Sequence, residues 1–476
     1  MLQRREFLKL AALLPAACVT PRVPETGALV NDIHSQLNET WVARIVKPAS
    51  IDELRTALRG SGPVCIAGGR HAMGGQQFAK DTTLVDMNGL TRIRSVEDGI
   101  VDVEAGVQWP ALIAGLRQTK WGIRQKQTGA DRLSIGGGLA ANVHGRGLTM
   151  KPFIGDVESF TLLTADGDLV ECSRTRNREL FGLVIGGYGL FGVVASVKLR
   201  LSPRQKVQRV VEVQDVETVM SAVEDRVANG FTYGDFQFSI DERSDDFLKK
   251  GVFSCYKPVP DDTPMPATQA ELKPEDWMKL LYLAHADKKQ VYEQYVGYYL
   301  STNGQVYWSD EHQLSFYPDD YHRVLDPLLK SARATEMITE LYVPRPRLAE
   351  FMMAAREELR RRNESVVYGT VRLIQRDDES FLPWAKQSYA CVIFNLHVEH
   401  SDAGKAKAAD SFRALIDLAL ARDGSYFLTY HRWARREQVE QAYPQFAEFL
   451  RAKRRLDPRA RFTSEWYRHY EKMFAT

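Results

Sequence analysis

The first part of the chain is a series of short apolar runs and alternating apolar and polar stretches, a pattern that predicts strands. The predicted strands lie at residues 41–46, 64–66, 83–90, 100–106, 157–163, 169–171 and 193–201. The segment 164–168 contains Asp166-Gly167 and joins two of them as a hairpin. Trp109 to Leu116 predicts a short helix, and Ser50 with Glu53 three residues later predicts the start of another. This mixture is typical of an α+β domain, which we assign to residues 37–204.

Strand-like and helical stretches continue further along the chain, and we assign residues 205–436 to a second domain. Residues 207–213 and 389–398 predict strands, and residues 348–362 predict a helix with a basic end. Residues 257–274 are rich in proline and aspartate and predict a loop, a candidate lid over a binding site.

Composition and charge narrow the classes of function. The chain has 476 residues, of which 44% are hydrophobic, enough for about two or three domains with large cores. The formal net charge is only +2, and basic residues are balanced by acidic ones along most of the chain. A nucleic-acid-binding protein is therefore disfavoured. The cysteines show no disulfide framework and no metal-ligand spacing, so we expect no metal site.

The first 27 residues read as a targeting signal followed by a linker. Arg4-Arg5 and the following Phe-Leu-Lys resemble the twin-arginine export signal, which predicts a periplasmic protein. The apolar run 10–18 is too short to span a bilayer as a permanent helix, so we expect no stable membrane span. The alternative is a basic amphipathic helix. A lipid anchor at Cys18 is less favoured, because Pro15 stands where an aliphatic residue is usual.

Three glycine-rich segments stand out against this background. The first, Ala67-Gly68-Gly69-Arg70-His71-Ala72-Met73-Gly74-Gly75-Gln76, follows a buried strand. Its glycines permit positive φ and close approach to a ligand, and successive N–H groups in such a turn suit a diphosphate. It is neither a Walker A loop nor a Rossmann fingerprint. An ordinary tight loop is the alternative for this segment alone. However, residues 134–147 and 180–194 are also rich in glycine.

Together the three segments resemble the FAD-binding domain of the vanillyl-alcohol oxidase and p-cresol methylhydroxylase family. The resemblance is nearest to sugar-lactone and sugar-alcohol oxidases and to decaprenylphosphoryl-ribose oxidase. It implies an α+β fold with FAD bound by residues 37–204 and a substrate domain, residues 205–436, built on an antiparallel sheet. Residues 437–476 would pack back on the FAD domain. The implied cofactor contacts are Gly68, Gly69, Arg70, His71, Ala72, Met73, Gly74, Gln76, Gly136, Gly137, Asn142, Val143, His144, Gly145, Gly192 and Val193.

The resemblance also implies a covalent link to the cofactor. Arg70-His71-Ala72 stands where sugar oxidases and cytokinin dehydrogenases carry a Gly/Arg-His-Ser whose histidine is bonded to the flavin C8α methyl. His71 is the implied attachment point, although Ala72 replaces the serine. A loop histidine without a link is the alternative. The lack of a cysteine between Cys65 and Cys172 argues against a second, cysteinyl link.

The implied reaction is hydride transfer from a substrate carbinol to flavin N5, with the hydroxyl proton passing to a base. The substrate would be a sugar, sugar lactone or polyol, with a lipid-linked or phosphorylated sugar as alternative, and a non-enzymatic redox carrier as a third reading. Candidate catalytic residues are Arg372, Glu340, His397, Tyr430 and His431. A histidine, His431 or His397, is the preferred base, because imidazole titrates near neutrality. An ion pair or core packing is the structural alternative for each.

Two departures from the family pattern bear on substrate and acceptor. Tyr430 stands where relatives place a catalytic lysine, and Thr370 stands where sugar-alcohol oxidases carry an acid, so their specificity does not transfer directly. Val143, just before His144-Gly145, occupies a place where a side chain blocks oxygen in related lactone dehydrogenases. We therefore expect slow reaction with oxygen and another, unidentified electron acceptor.

Overall fold

A computed structural model describes residues 27–60, 62–316 and 318–475. The predicted export signal thus lies outside the described residues. Of the helices that are described, none is both long and apolar enough to cross a membrane.

The first domain combines parallel and antiparallel sheets. Ala28–Val30 pairs with Thr40–Val42, and a parallel sheet has the order Arg44–Val46, Thr83–Asp86, Val64–Ala67. A larger antiparallel sheet has the order Leu169–Ser173, Val157–Leu163, Val193–Pro203, Ile100–Glu104, Ile93–Glu97, with Trp121–Ile123 paired to the end of Val193–Pro203. The helices are Ile51–Ala57, Trp109–Leu116, Ile135–Ala141 and Arg178–Val184, with 3₁₀ turns at Met87–Gly89 and Phe153–Gly155.

The second domain is one antiparallel sheet with helices packed on it. Its strand order is Val306–Trp308, Lys206–Asp215, Lys250–Val259, Tyr233–Phe238, Val366–Ile374, Tyr389–Glu399, Ala334–Pro344, Ser425–Tyr426. The helices are Val219–Ala228, Pro274–Ala286, Lys288–Ser301, His322–Leu329, Leu348–Arg361 and Asp402–Leu420, with 3₁₀ turns at Glu311–Gln313 and Arg345–Arg347. The middle strands are buried along nearly their whole length, which explains their continuous apolar runs.

The end of the chain returns to the first domain. Helices Arg436–Ala442, Phe446–Leu456 and Glu465–Phe474 follow the last strand. Phe462 lies parallel to Val64 at the edge of the parallel sheet. Val64 N donates to the Arg461 carbonyl at 2.7 Å, and Thr463 N donates to the Val64 carbonyl at 2.9 Å.

Several local predictions are confirmed, and one needs correction. The helix Trp109–Leu116, the hairpin of Val157–Leu163 with Leu169–Ser173 and the helix beginning at Leu348 all form. Ser50 does cap its helix, its Oγ accepting from Glu53 N at 3.1 Å. Glu53 Oε2, however, accepts from Ala49 N rather than from the cap residue's own N–H.

Candidate functional site

A cavity of about 1060 Å³ is lined by residues of both domains. The first domain contributes parts of all three glycine-rich segments, and the second contributes side chains of its sheet, its helices and the loop before Pro274. One cavity therefore joins the predicted cofactor loops to the predicted substrate domain.

The first glycine loop is shaped by crowding more than by positive φ. A Cβ on Gly68 would lie 2.1 Å from Ser134 Oγ, and one on Gly69 would lie 2.2 Å from the Arg132 carbonyl oxygen. These two positions therefore exclude any side chain. Positive φ occurs within this loop at Arg70 (58°) and Gly75 (74°) instead. Of the two reasons given for glycine in this loop, positive φ therefore applies to Gly75, and close packing of the backbone applies to Gly68 and Gly69.

The same loop presents backbone donors to the cavity. The carbonyls of Gly68, Arg70 and Ala72 accept from Asn88 Nδ2, Ile33 N and Gln77 Nε2 at 2.7–3.1 Å. Within the described chain, the N–H groups of residues 69–72 donate to no acceptor. Consecutive free amides at the wall of a cavity fit an anionic group such as a diphosphate.

The second and third segments reach the cavity at selected positions. The second contains the helix Ile135–Ala141, capped by Ser134 Oγ, which accepts from Gly137 N. A Cβ on Gly136 would lie 2.8 Å from Ala105 Cβ, so this helix start packs closely on the sheet. Gly192 has φ 147°, and a Cβ there would lie 2.7 Å from the Leu163 carbonyl.

The predicted cofactor contacts divide into two groups. Those lining the cavity are Gly68, Gly69, Arg70, His71, Ala72, Gln76, Gly136, Gly137, Val143 and Gly192. Those absent from its lining are Met73, Gly74, Asn142, His144, Gly145 and Val193. Asn142 is a fully buried left-handed helix cap whose side chain binds Asp377 Oδ2 and Ile154 N. Its side chain therefore holds the second glycine segment in place, and the cavity lining does not support the prediction that it contacts the cofactor.

His71 lines the cavity beside a second histidine. His71 Nδ1 lies 2.7 Å from His34 Nε2. His71 Nε2 completes no hydrogen bond of good geometry, although the Arg132 carbonyl lies on that side of the ring. Burial, and then the neighbouring His34, hold the pKa of His71 well below its ordinary value, and burial lowers the pKa of His34 to about 4. Both rings are therefore neutral at pH 7.

Arg372 and Tyr430 belong to one wall of the cavity, and Glu340 is buried behind it. Arg372 lines the cavity and is buried, and its Nε and Nη1 have no hydrogen-bond partner within the described chain. Glu340 lies behind the wall and bonds to His144 Nε2, both side chains being fully buried. Burial would raise the pKa of Glu340, but His144 and Arg372 bring it below its ordinary value. Burial and the Glu340 carboxylate raise the pKa of Tyr430 far enough to keep its hydroxyl neutral.

The two histidines predicted as bases do not line the cavity. His431 packs between Phe412 and Trp433, at ring-centroid distances of 4.9 and 5.7 Å, and burial lowers its pKa to about 3. His397 lies beyond Asn395 on the same strand and faces Glu336 instead. The preference for either as base is therefore corrected, whereas Tyr430 and Arg372 do line the cavity.

Sequence reasoning missed an acidic residue at the cavity wall. Asp131 Oδ1 lies 2.5 Å from Nζ of the fully buried Lys126, and Ser315 donates to Asp131 from N at 3.0 Å and from Oγ at 3.2 Å. Burial lowers the pKa of Lys126 to about 8, although Asp131 favours its charged form. Its position in the sequence could have indicated it, since Asp131 lies just upstream of the second glycine segment, separated from Ser134 by Arg132 and Leu133.

The sequence also did not predict an aromatic wall, the set of aromatic side chains of the second domain that line the cavity. Cavity-lining aromatic residues include Phe238, Tyr256, Trp277, Tyr295, Tyr298, Tyr299, Tyr307 and Tyr368. Asp235 is buried among the lining residues, with Gln237 Nε2 donating to its Oδ2 at 2.9 Å and its Oδ1 unpartnered within the described chain. These side chains come from separate strands and helices, so no local sequence motif predicts that they lie together.

Comparisons with known proteins agree with the cofactor loops. Residues 42–173 match the family model described as a FAD binding domain. Cytokinin dehydrogenase 1 of Arabidopsis thaliana is 32% identical over 206 residues, covering 42% of this chain and 32% of that protein. Cytokinin dehydrogenase 4 of Oryza sativa subsp. japonica is 27% identical over 269 residues, covering 48% of this chain and 50% of that protein.

A bacterial relative is also similar over part of its length. The uncharacterized oxidoreductase ORF5 in the fasciation locus of Rhodococcoides fascians is 30% identical over 167 residues, covering 33% of this chain and 37% of that protein. The chain thus spans between a third and a half of the length of these relatives. FAD is the cofactor of this chain, as the three segments predicted. The predicted nearness to sugar oxidases is not confirmed by these relatives.

Proposed function

We propose that this protein is an FAD-dependent oxidoreductase that removes a hydride from a carbon bonded to nitrogen or oxygen. The observation that carries the proposal is the continuity of the cavity. It runs from the free amides of the first glycine loop to the aromatic wall of the second domain, past Arg372 and Asp131. FAD, when bound, supplies the hydride acceptor.

The chain's own residues would do the remaining work. The amides of residues 69–72 would bind the diphosphate, and the unpartnered guanidinium of Arg372 would stabilise negative charge that develops nearby. Asp131, held by Lys126 and Ser315, would accept the proton of the substrate N–H or O–H group. Tyr430 keeps its proton and would serve as a hydrogen-bond donor.

The aromatic wall favours a flat, largely apolar substrate. Tyrosine and tryptophan rings bind such molecules by stacking, and buried Asp235 would accept a hydrogen bond from a ring N–H or amine. A cytokinin, the substrate class in the names of the relatives, meets this description and is our first candidate. The second candidate is the CH–OH group of a sugar, sugar lactone or polyol, including a lipid-linked sugar. Its polar groups would be met by Gln127, Gln237 and Asn395.

Anaerobic titration tests these alternatives. The FAD-loaded protein is mixed with a cytokinin panel and with a panel of sugar alcohols and sugar lactones, and flavin absorbance is followed. Bleaching by cytokinins alone supports the first candidate, and bleaching by the sugar panel alone supports the second. A flavin that no member of either panel bleaches would favour the redox-carrier alternative. Mixing the reduced protein with oxygenated buffer then measures how fast oxygen reoxidises the flavin. We expect this reaction to be slow, because Val143 lines the cavity.

We also propose that His71 carries the flavin covalently. Its ring is neutral, Nδ1 faces His34, and the buried Nε2 has no hydrogen-bond partner among the described residues, so we assign the bond to C8α to Nε2. Forming the bond would replace the His71 N–H and one C8α–H, with the two protons and two electrons passing to the electron acceptor. In acid-denatured protein we expect yellow colour to stay with the polypeptide and the intact mass to include FAD. His71→Ala should release the flavin, whereas His431→Ala, a buried histidine away from the cavity, should retain it. Free flavin from the unaltered protein would contradict the link.

Export by the twin-arginine route remains a proposal based on Arg4-Arg5. Cell fractionation of the full chain, beside a variant with both arginines changed to lysine, tests it. We expect the unaltered chain in the periplasmic fraction and the variant in the cytoplasm.

A further inference from the structure

Three histidines and a glutamate meet beside the cavity, in a cluster that the flavin reaction does not use. The members are His285, His322, Glu336 and His397, and one ligand atom of each lies within 4.8 Å of every other. His285 is near the end of the helix Pro274–Ala286 and His322 begins the helix His322–Leu329. Glu336 and His397 face each other directly on paired strands.

The contacts inside this cluster converge on one carboxylate. Glu336 Oε2 lies 2.6 Å from His322 Nε2 and also accepts from the Tyr321 hydroxyl. Glu336 Oε1 lies 3.2 Å from His285 Nε2 and 3.5 Å from His397 Nδ1. The last two distances are longer than the ~2.7–2.9 Å of charge-assisted hydrogen bonds. His285 Nε2 is buried, and its angles do not make a hydrogen bond.

His322 has a carboxylate partner on the ring nitrogen that faces away from Glu336, an arrangement common at metal centres. His322 Nδ1 lies 2.6 Å from Asp326 Oδ1, one helical turn further on. A carboxylate that accepts the proton of one ring nitrogen directs the lone pair of the other nitrogen towards a metal. Asp326 Oδ2 is fixed in turn by the backbone N–H of Ala334. His322 is therefore oriented with its Nε2 in the centre of the cluster.

We propose that His285, His322, Glu336 and His397 bind a divalent transition-metal ion, with zinc as the first candidate. Three imidazoles and one carboxylate form a donor set that suits zinc, and four protein ligands make the closed arrangement of a structural site. In a tetrahedral zinc site, metal–ligand distances of about 2.0–2.2 Å place ligand atoms roughly 3.3 Å apart. The His322–Glu336 pair would open by less than about 1 Å to reach that spacing.

Such an ion would fix the wall of the cavity. It would tie the helix Pro274–Ala286, which supplies Trp277, Leu280 and Leu281 to the lining, to the central strands of the sheet. The spacing of the cysteines alone predicted no metal site. The four ligands are spread from residue 285 to residue 397 and share no local motif.

Metal analysis of the purified, FAD-loaded protein tests the proposal. We expect close to one equivalent of zinc per chain, removable by a chelator. Titration of the stripped protein with Co²⁺ should then produce visible ligand-field bands that Zn²⁺ abolishes. His397→Gln, at the most exposed of the ligands, should weaken Co²⁺ binding by at least tenfold, and Asp326→Asn by roughly 10- to 100-fold. His469→Gln, a half-buried histidine on the helix Glu465–Phe474, is the matched control and should bind as the unaltered protein does.

The alternative is a cluster held by ion pairs and hydrogen bonds without metal. No bound metal together with no ligand-field bands in the unaltered chain would overturn the proposal, whether or not the variants fold. Equal Co²⁺ affinity of His397→Gln and His469→Gln would overturn it as well. Flavin content is read separately from its absorbance, so the result does not depend on the reaction proposed above.

Discussion

At the scale of single residues, two of the carboxylates that line the cavity, Asp131 and Asp235, lie in different surroundings. Asp131 has a lysine and a serine as partners, whereas Asp235 lies among tyrosines with one oxygen unpartnered. A proton acceptor must be held at the reacting group, and a binding group needs only to meet a substrate donor. This difference assigns the two acids separate roles in the proposed reaction.

Substituting each acid by its amide separates those roles. Asp131→Asn should lower the rate of flavin reduction roughly 100- to 10,000-fold with FAD content unchanged, because the proton acceptor is removed. Asp235→Asn should mainly raise the substrate concentration required. Stopped-flow reduction over a range of substrate concentrations measures both. The same loss of maximal rate in both variants would contradict the assignment.

Lys126 gives the reaction a predicted dependence on pH. Its pKa of about 8 means that its charge is lost as pH rises through that value, and Asp131 then loses its ion-pair partner. We expect the rate of flavin reduction to fall above about pH 8. In Lys126→Arg the guanidinium keeps its charge, so the fall should disappear from the range up to about pH 10. Retention of FAD across that range is the control.

As pH rises, the stability of the folded protein should change in the direction opposite to the rate of flavin reduction. The folded pKa of Lys126 is about 8, below its ordinary value of 10.5, so between these values the unfolded chain binds the proton that the folded chain has lost. The contribution of this group to the free energy of unfolding therefore rises with pH over that window.

At the scale of elements, crowding at the first glycine loop is specific to its position. Gly69→Ala would put a Cβ 2.2 Å from the Arg132 carbonyl oxygen, and we expect a loss of stability of about 1–3 kcal/mol together with loss of FAD. Gly297→Ala is the matched control. It lies inside the helix Lys288–Ser301 with nothing near its Cβ position, and should gain roughly 0.5–1 kcal/mol. Thermal unfolding and flavin fluorescence measure both variants.

The sequence predicted the strands and helices but not how they pack against one another. Alternation located strands such as Ile100–Glu104, a long apolar run located Tyr389–Glu399, and the glycine segments indicated the cofactor side of the cavity. The aromatic wall was not predictable, because register and helix packing bring its residues together from distant parts of the chain. His397 was misplaced because its strand was predicted without the direction of each side chain. His431 was misplaced because it lies outside any strand, and its packing against Phe412 and Trp433 depends on residues distant in sequence or in the following turn.

At the scale of the whole molecule, the C-terminal segment joins both domains to the cofactor site. Trp466 is fully buried, its ring 4.8 Å from that of the cavity-lining Tyr188, and its Nε1 donates to the Leu428 carbonyl at 3.3 Å. Trp466→Ala should lower stability by about 3–5 kcal/mol, and Trp466→Phe by less. Denaturant unfolding followed by flavin release measures it. An unchanged midpoint in Trp466→Ala would show that the segment contributes little.

The pairing of Val64 with Phe462 has a consequence for the order in which the protein can mature on the ribosome. The strand before the cofactor loop is synthesised about 400 residues before its edge partner Phe462. The Gln76 side chain likewise lacks its acceptors, the carbonyls of Leu428 and Thr429, until those residues have been synthesised. The nascent first domain therefore has an unpaired edge until residue 462 has been synthesised, and we expect FAD to be held firmly only after that point.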